Sequence, residues 1–313
     1  MENNKFDIII IGGGPAGLTS GIYLSRAKVK VLILNEGIAG GQMSLTHEVA
    51  NYPGIESISG YMLSRNMQKQ AESFGCVVKS NIKVTAYDLE NKVKKVTVNE
   101  KDIYEAKSVI IATGGKSREI GALGEKEFAG RGVSYCATCD GDFFQDREII
   151  VVGGGNSALE EAVSLTQYAS KVTIVHQFDH FQAYKHAIEI ATNHPKIDFI
   201  LESTITGFYG SQSLEKVKIK NLKTGKETDK KIDGVFIFIG YVPQTKPFEN
   251  IINLNERGEV VANENLETSV SGIFVAGDCR AKRWRQITTA VSDGTIAALN
   301  SIEFIQNSLK KSI

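Results

Sequence analysis

Residues 6–11 are apolar but for Asp7 and mostly β-branched, the pattern of a parallel strand buried on both faces. Gly12, Gly14 and Gly17 follow at once, and residues 18–26 read as a helix. A second apolar run at 29–34 ends at Glu36. Residues 60–74 read as a helix, and 82–104 alternate apolar and polar positions with Asn and Asp between them, as in a β-meander. Residues 108–112 form another buried strand, closed by Thr113-Gly114-Gly115. The pattern then starts again. Residues 148–152 are an apolar strand, Gly153, Gly155 and Ala158 repeat the turn, 156–168 read as a helix and 171–175 as a strand. A meander over 199–233 and a buried strand at 235–239 ending in Gly240 complete the second copy. The chain closes with a short strand at 273–276, Gly277-Asp278, and a long helix over 286–305 whose first turns carry small residues.

An internal repeat of strand, glycine turn, helix and strand predicts two nucleotide-binding units. The glycines allow a tight turn and let a pyrophosphate approach the backbone, and the helix start offers unpaired N–H groups. Glu36, at the end of the second strand, suits a ribose hydroxyl, and so does Asp278 after the last strand. The expected fold is α/β: two Rossmann-like nucleotide-binding domains, each three-layered with a parallel sheet and a β-meander, the second inserted in the first. Residues 1–116 plus 246–313 make one domain, and 117–245 the other.

Just before the second repeat stands Cys136-Ala137-Thr138-Cys139, with Asp140 behind it. Two cysteines at this spacing can close a small disulfide, and a neighbouring carboxylate can move the proton that thiolate chemistry needs. The same pair could be half of a zinc site or a chance pair of buried thiols. Zinc needs a second pair of ligands, and only the solitary Cys76 and Cys279 remain, with no His pair at the finger distance downstream of Cys139. No metal is therefore expected.

The 313 residues carry 36 Lys+Arg and 36 Asp+Glu, so nothing in the charge suggests nucleic acid as a partner. Four cysteines in a chain of this length are not a disulfide scaffold. Residues 1–7 lack the basic and apolar regions of a secretory leader, and 8–11 is too short to span a membrane. A cytoplasmic protein with no membrane partner is expected.

Taken together, Gly12-Gly13-Gly14-Pro15-Ala16-Gly17, Gly41-Gln42, Asn51-Tyr52-Pro53-Gly54, Ala112-Thr113-Gly114, Cys136-Ala137-Thr138-Cys139-Asp140-Gly141, Gly240-Tyr241-Val242-Pro243, Ala276-Gly277-Asp278 and Arg285-Gln286-Ile287 resemble the bacterial low-molecular-weight thioredoxin reductases across essentially the whole chain. The resemblance implies an FAD-dependent flavoprotein, a homodimer, that passes electrons through flavin and the Cys136/Cys139 disulfide to thioredoxin. It implies that Cys136 attacks thioredoxin, Cys139 faces the flavin and Asp140 acts as acid/base. It assigns FAD contacts to Gly12, Gly14, Pro15, Ala16, Gly17, Asn35, Glu36, Gly41, Gln42, Asn51, Val84, Ala112, Thr113, Gly114, Gly277, Asp278, Arg285, Gln286 and Ile287.

The chain departs from that family at one place. NADPH-using members carry His-Arg-Arg-x-x-x-Arg after the second strand of the middle domain. Here the stretch reads His176-Gln177-Phe178-Asp179-His180-Phe181-Gln182, and all three arginines are gone. Each charge-assisted hydrogen bond to a 2′-phosphate is worth roughly 1.5–3 kcal/mol, so NADPH should be weakened by roughly two orders of magnitude or more. This departure resembles a branch of the family that takes electrons from reduced ferredoxin. Ferredoxins are acidic, and Arg280, Lys282, Arg283 and Arg285, with Trp284 among them, suggest a basic docking face. The competing readings are NADPH or NADH used through an altered pocket, a reductase of another disulfide partner, and a non-catalytic flavin-binding module, which would have no need of Cys136, Cys139 and Asp140.

Overall fold

A computed structural model describes residues 4–46 and 48–310. Residues 1–3, part of the stretch read for a leader, lie outside the described residues. The chain divides into two compact units, Met1–Lys116 with Val242–Ile313, and Ser117–Tyr241. The second crossing thus lies four residues before the expected one. The crossings are made by β8 (Gly115–Ser117) and β17 (Tyr241–Pro243), which form a two-stranded ribbon.

The first unit is built on β1 (Ile8–Ile11), α1 (Pro15–Arg26), β2 (Val31–Leu34), α2 (Gly60–Ser73) and β3 (Val77–Lys79). A meander of β4 (Val84–Asp88), β5 (Lys94–Val98) and β6 (Asp102–Ala106) follows, then β7 (Ser108–Ile111). β18 (Ile273–Val275) and α6 (Ile287–Lys310) complete it. The sheet order is β18-β7-β1-β2-β3, and all four pairings are parallel. The apolar strands are explained by two-sided burial. Ile8 and Ile10 pack into a core with α1, α2 and α6, while Ile9 and Ile11 pack with Val96 and Val98 of the meander. Side chains alternate faces along a strand, so covering both faces requires an unbroken apolar run. α1 begins at Pro15, earlier than expected, because proline is preorganised for the first helical position.

The second unit repeats the plan. It has β9 (Val133–Ser134), the one-turn α3 (Ala137–Asp140), β10 (Glu148–Val152), α4 (Asn156–Leu165), β11 (Lys171–Val175), α5 (Lys185–Thr192) and β12 (Ile197–Ile200). The meander β13 (Ser203–Gly210), β14 (Leu214–Asn221) and β15 (Glu227–Lys231) precedes β16 (Gly234–Ile237). The parallel sheet runs β12-β11-β10-β16-β9. Ile149 and Val151 face the helices, and Ile150 and Val152 face the meander core of Ile205, Phe208 and Val217. The two sheets match strand for strand, except that the last edge strand is β18 in one and β9 in the other. β9, leading to Cys136, therefore stands where β18, leading to Gly277-Asp278, stands in the first unit.

Several elements depart from the expectation: residues 199–200, read as the start of the meander, join the parallel sheet in β12, and β3 and α5 form where no element was expected. α5 has no side-chain cap and buries only Ala187 and Ala191, which leaves little apolar signal.

α6 is anchored by buried charge. The Asp293 carboxylate accepts from Arg280 Nε at 2.9 Å and Nη2 at 2.7 Å, from Lys282 Nζ at 3.0 Å and from Gly277 N at 3.1 Å. Burial works to raise its pKa, but Arg280 and Lys282 together hold it below the usual carboxylate range. A depressed folded pKa gives stability that is present above the unfolded value and lost as pH falls through the folded one. Asp293→Ala should therefore cost about 3 kcal/mol near neutral pH, because it leaves the partly buried Arg280 without its anion and the buried Lys282 with Asp278 alone. Thermal unfolding of the variant checks this, and the deficit should shrink in strong acid.

Candidate active site

Each unit carries its candidate chemistry at the carboxyl edge of its parallel sheet. In the first, Gly12 has φ +110°, a conformation open to glycine, and a Cβ there would strike the Ala112 carbonyl. Gly12 N donates to Leu34 O and Ala112 N to Ile11 O, both at 2.8 Å, so the turn is tied to β2 and the end of β7. Asn35 locks it from the side, accepting from Gly13 N at 2.9 Å and donating to Gly37 O at 2.6 Å. Gly14 caps α1 without a side-chain bond, so Pro15, Ala16 and Gly17 start the helix with no side chain competing for their N–H groups. Gly41, with Gln42 exposed beside it on a 3₁₀ turn, comes close to Gly14. This bare, backbone-lined cradle fits a pyrophosphate.

The remaining expected cofactor residues are spread around that edge. Glu36 is exposed after β2, close enough to help push the Tyr87 hydroxyl upward, an effect dominated by burial. Val84 opens β4 at the border of the meander core. Asn51 is exposed on the loop between the paired Val49 and Ile58. Thr113 and Gly114 follow β7. Gly277 and Asp278 follow β18, held by Asp293 and Lys282. Burial pushes the Asp278 carboxyl up while Lys282, 3.1 Å away, works against it. Gln286 and Ile287 lead into α6, and Ile287 packs on the helical core.

The basic docking face is corrected by this geometry. The Lys282 side chain is only 7% exposed, bridging Asp278 and Asp293; Arg280 is bound to Asp293, and Arg285 to the buried Glu259. Three of the four cations answer carboxylates of their own unit. Arg283, stacked over the 60% exposed Trp284 at 4.7 Å, is the one that projects.

In the second unit Cys136 and Cys139 are disulfide-bonded, with their Cα atoms 5.3 Å apart across the single turn of α3. Asp140 N donates to Cys136 O at 3.3 Å, which closes the turn. The Asp140 carboxyl is pushed up, chiefly by burial and further by Asp142, while a hydrogen bond from Ser134 opposes the shift. Such a carboxyl holds a proton to higher pH than an exposed one.

Two residues beside the disulfide escaped the sequence reading. Ser134 ends β9 and reaches Asp140 at 2.5 Å. Glu125, 2% exposed, accepts from the backbone N–H of Ile120, Gly121 and Ala122 and from the Tyr135 hydroxyl at 2.8 Å. It fixes the residue before Cys136. A glutamate on a loop gives no periodic signal; only the turn glycines at 121 and 124 hint at a carboxylate-bound loop.

Cys76 and Cys279 are buried, and burial pushes the Cys76 thiol up to about 12 and the Cys279 thiol upward too. Neither is a nucleophile in this setting. Among the described residues no group of three or more His, Cys, Asp or Glu could hold a metal ion, and no helix is long and apolar enough to cross a membrane.

The second glycine turn is crowded by its own chain. Gly153 has φ +140°, and a Cβ on it would strike the Phe238 carbonyl; one on Gly154 would strike the His176 ring. Gln182 N donates to Gly154 O at 2.8 Å, and Tyr184 N to Asn156 Oδ1 at 2.7 Å. His176 is 5% exposed and packs with Phe178 and Phe181; burial lowers its pKa and keeps it neutral. Asp179 is hydrogen-bonded to His180 at 2.6 Å.

Comparison with known proteins agrees with this architecture. Residues 6–294 match the pyridine nucleotide-disulphide oxidoreductase family. The thioredoxin reductase of Bacillus subtilis (strain 168) is 46% identical over 314 residues, covering 99% of this chain and 98% of that one. A Clostridium pasteurianum protein described as a 34.2 kDa protein in a rubredoxin operon is 43% identical over 304 residues, covering 97% and 98%. The crystal structure of thioredoxin reductase from Streptococcus pyogenes MGAS5005 superposes with a TM-score of 0.94 at 42% identity, covering 97% of this chain and 99% of that chain.

Proposed function

The chain belongs to the thioredoxin reductases of the pyridine nucleotide-disulphide oxidoreductase family, and from that premise we propose that it reduces thioredoxin through Cys136–Cys139, with FAD held by the first unit and reduced ferredoxin as donor. The observation that carries the reading is the disulfide itself, closed over one helical turn beside a carboxyl that burial equips to hold a proton. A bound flavin supplies two electrons to the disulfide. Cys139 receives them, the S–S bond breaks, and Cys136 leaves as a thiolate that Asp140 protonates. Asp140 then takes that proton back, and the Cys136 thiolate attacks the thioredoxin disulfide, breaking its S–S bond and releasing one thioredoxin sulfur to be protonated; Cys139 resolves the mixed disulfide, freeing the second thioredoxin sulfur and re-forming Cys136–Cys139. One sulfur must exchange with flavin and the other with protein, which is why both are required.

FAD rather than FMN is supported by the cradle of Gly12, Gly14 and Gly41, since such a turn accommodates a pyrophosphate. Purified protein is expected to hold one FAD per chain, and Asp278→Ala to lower that occupancy several-fold, by chromatography of the released cofactor. Release of FMN, or absence of flavin, would contradict the reading.

The cysteine assignment predicts that Cys136→Ser and Cys139→Ser each abolish thioredoxin reduction with flavin retained. Cys139→Ser should trap a mixed disulfide with thioredoxin on a non-reducing gel, and Cys136→Ser should not. The opposite pattern would exchange the two roles.

Ferredoxin as donor is supported by what surrounds the second glycine turn. Residues 176–184 include no lysine or arginine, and the buried His176 is kept neutral. A 2′-phosphate would meet Asp179 and aromatic rings where the arginines would stand, with Lys223, paired to Glu202, acting on Asp179 from nearby. Stopped-flow mixing with millimolar NADPH or NADH under argon should leave the flavin absorbance unbleached over seconds, while reduced ferredoxin bleaches it. Gln177→Arg, Phe178→Arg and Gln182→Arg together should make NADPH effective, raising its apparent affinity by about 10²-fold. Saturable bleaching of the unaltered protein by NADPH would restore the nucleotide as donor.

A further inference from the structure

We infer that Ser134 is a positioning residue for proton transfer at the disulfide: its hydroxyl clamps one carboxylate oxygen of Asp140 and leaves the other to carry the proton. The inference rests on the reading of Asp140 as the acid/base and adds which oxygen acts and what holds it.

Ser134 is built into the sheet. It is the last residue of β9, 5% exposed, in register with Phe236 of β16. Its Oγ lies 2.5 Å from Asp140 Oδ2 and accepts from Cys136 N at 3.1 Å. A serine hydroxyl has one proton to donate. Of the acceptors within reach, Asp140 Oδ2 is far closer than Cys136 O at 3.3 Å, so the proton points to the carboxylate. The order is therefore Cys136 N–H to Ser134 Oγ, and Ser134 O–H to Asp140 Oδ2. One hydroxyl ties the backbone of the attacking cysteine and the carboxyl of the acid to the same strand end.

That geometry separates the two carboxylate oxygens. A proton on Oδ2 would make the hydroxyl accept across the 2.5 Å contact and turn its own proton to Cys136 O, the longer contact at 3.3 Å. Oδ1 is free of this conflict and takes the acid proton. When two electrons open the disulfide, the S–S bond breaks, the Cys136 sulfur leaves with an electron pair, and the Oδ1 proton passes to it. The carboxylate left behind keeps the Ser134 hydrogen bond, which favours the ionised form. The groups facing Asp140 are few. Ser134 comes from β9 and Asp142 from the following turn, while Leu165 of α4 and Tyr168 lie against the adjoining Gly141. Without Ser134, burial and Asp142 would act on the carboxyl unopposed.

The test compares Ser134→Ala, Ser134→Thr and Asp140→Asn with the unaltered, flavin-loaded protein. Two readouts are used: the pH dependence of thioredoxin reduction by prereduced protein, and the protonation midpoint of the Asp140 carboxyl in the oxidised protein by infrared difference spectroscopy. Ser134→Ala should move both the infrared midpoint and the corresponding limb of the rate profile up by roughly one pH unit. Ser134→Thr, which keeps the hydroxyl, should return both toward the original values. Asp140→Asn should remove the limb and the infrared band. An unmoved midpoint in Ser134→Ala, with the band abolished in Asp140→Asn, would overturn the role of Ser134 and leave the acid in place. A limb that survives in Asp140→Asn would overturn the acid assignment, and this inference with it.

Discussion

A parallel strand covered on both faces can offer chemistry only at its ends. β1 and β10 are apolar throughout because helices press on one face and a meander on the other. Their glycine turns, the acids after β2 and β18, and the cysteines after β9 all stand at the carboxyl ends of such strands. Ligands in open α/β sheets bind at that edge, where helix N-termini and strand ends converge. The duplication uses the same edge twice, once for a bare backbone cradle and once for a disulfide.

Charge is treated differently in the two places. Beside Gly277-Asp278, two cations and two carboxylates satisfy one another around the buried Lys282 and Asp293, and their gain is rigidity of the loop rather than a field reaching outward. Beside the disulfide a carboxyl is buried with a single hydroxyl donor and a like charge nearby, and so resists ionisation. The same residue type is an anchor in one setting and a proton carrier in the other. Partners make the difference, and a linear sequence does not display them. For that reason the expected basic face proved to be mostly internal, with Arg283 beside Trp284 projecting from it.

Much of the architecture was legible because burial on two faces writes itself as continuous apolar runs. β10 and β11 begin and end where the pattern put them, and the repeated glycine turns marked both units. The cysteine pair and Asp140 stood out by spacing, and their redox reading came from the flanking repeats and the family resemblance. What escaped depends on contacts. α5 shows two buried alanines, β3 has three residues at a sheet edge, and β12 mixes polar and apolar positions. Ser134 and Glu125 are ordinary polar residues until the fold brings one to Asp140 and the other to Tyr135.

The central claim is that Cys136–Cys139 exchanges electrons with a flavin carried by the same chain. Stepwise anaerobic titration of the oxidised, flavin-loaded protein with dithionite, counting free thiols at each step, tests it directly. The account predicts uptake of about four electrons per chain, two on the flavin and two on the disulfide. Two new thiols should appear, mapping to Cys136 and Cys139, and oxidised thioredoxin should remove them. Uptake that stops at about two electrons, with the flavin bleached and the disulfide intact, would contradict it.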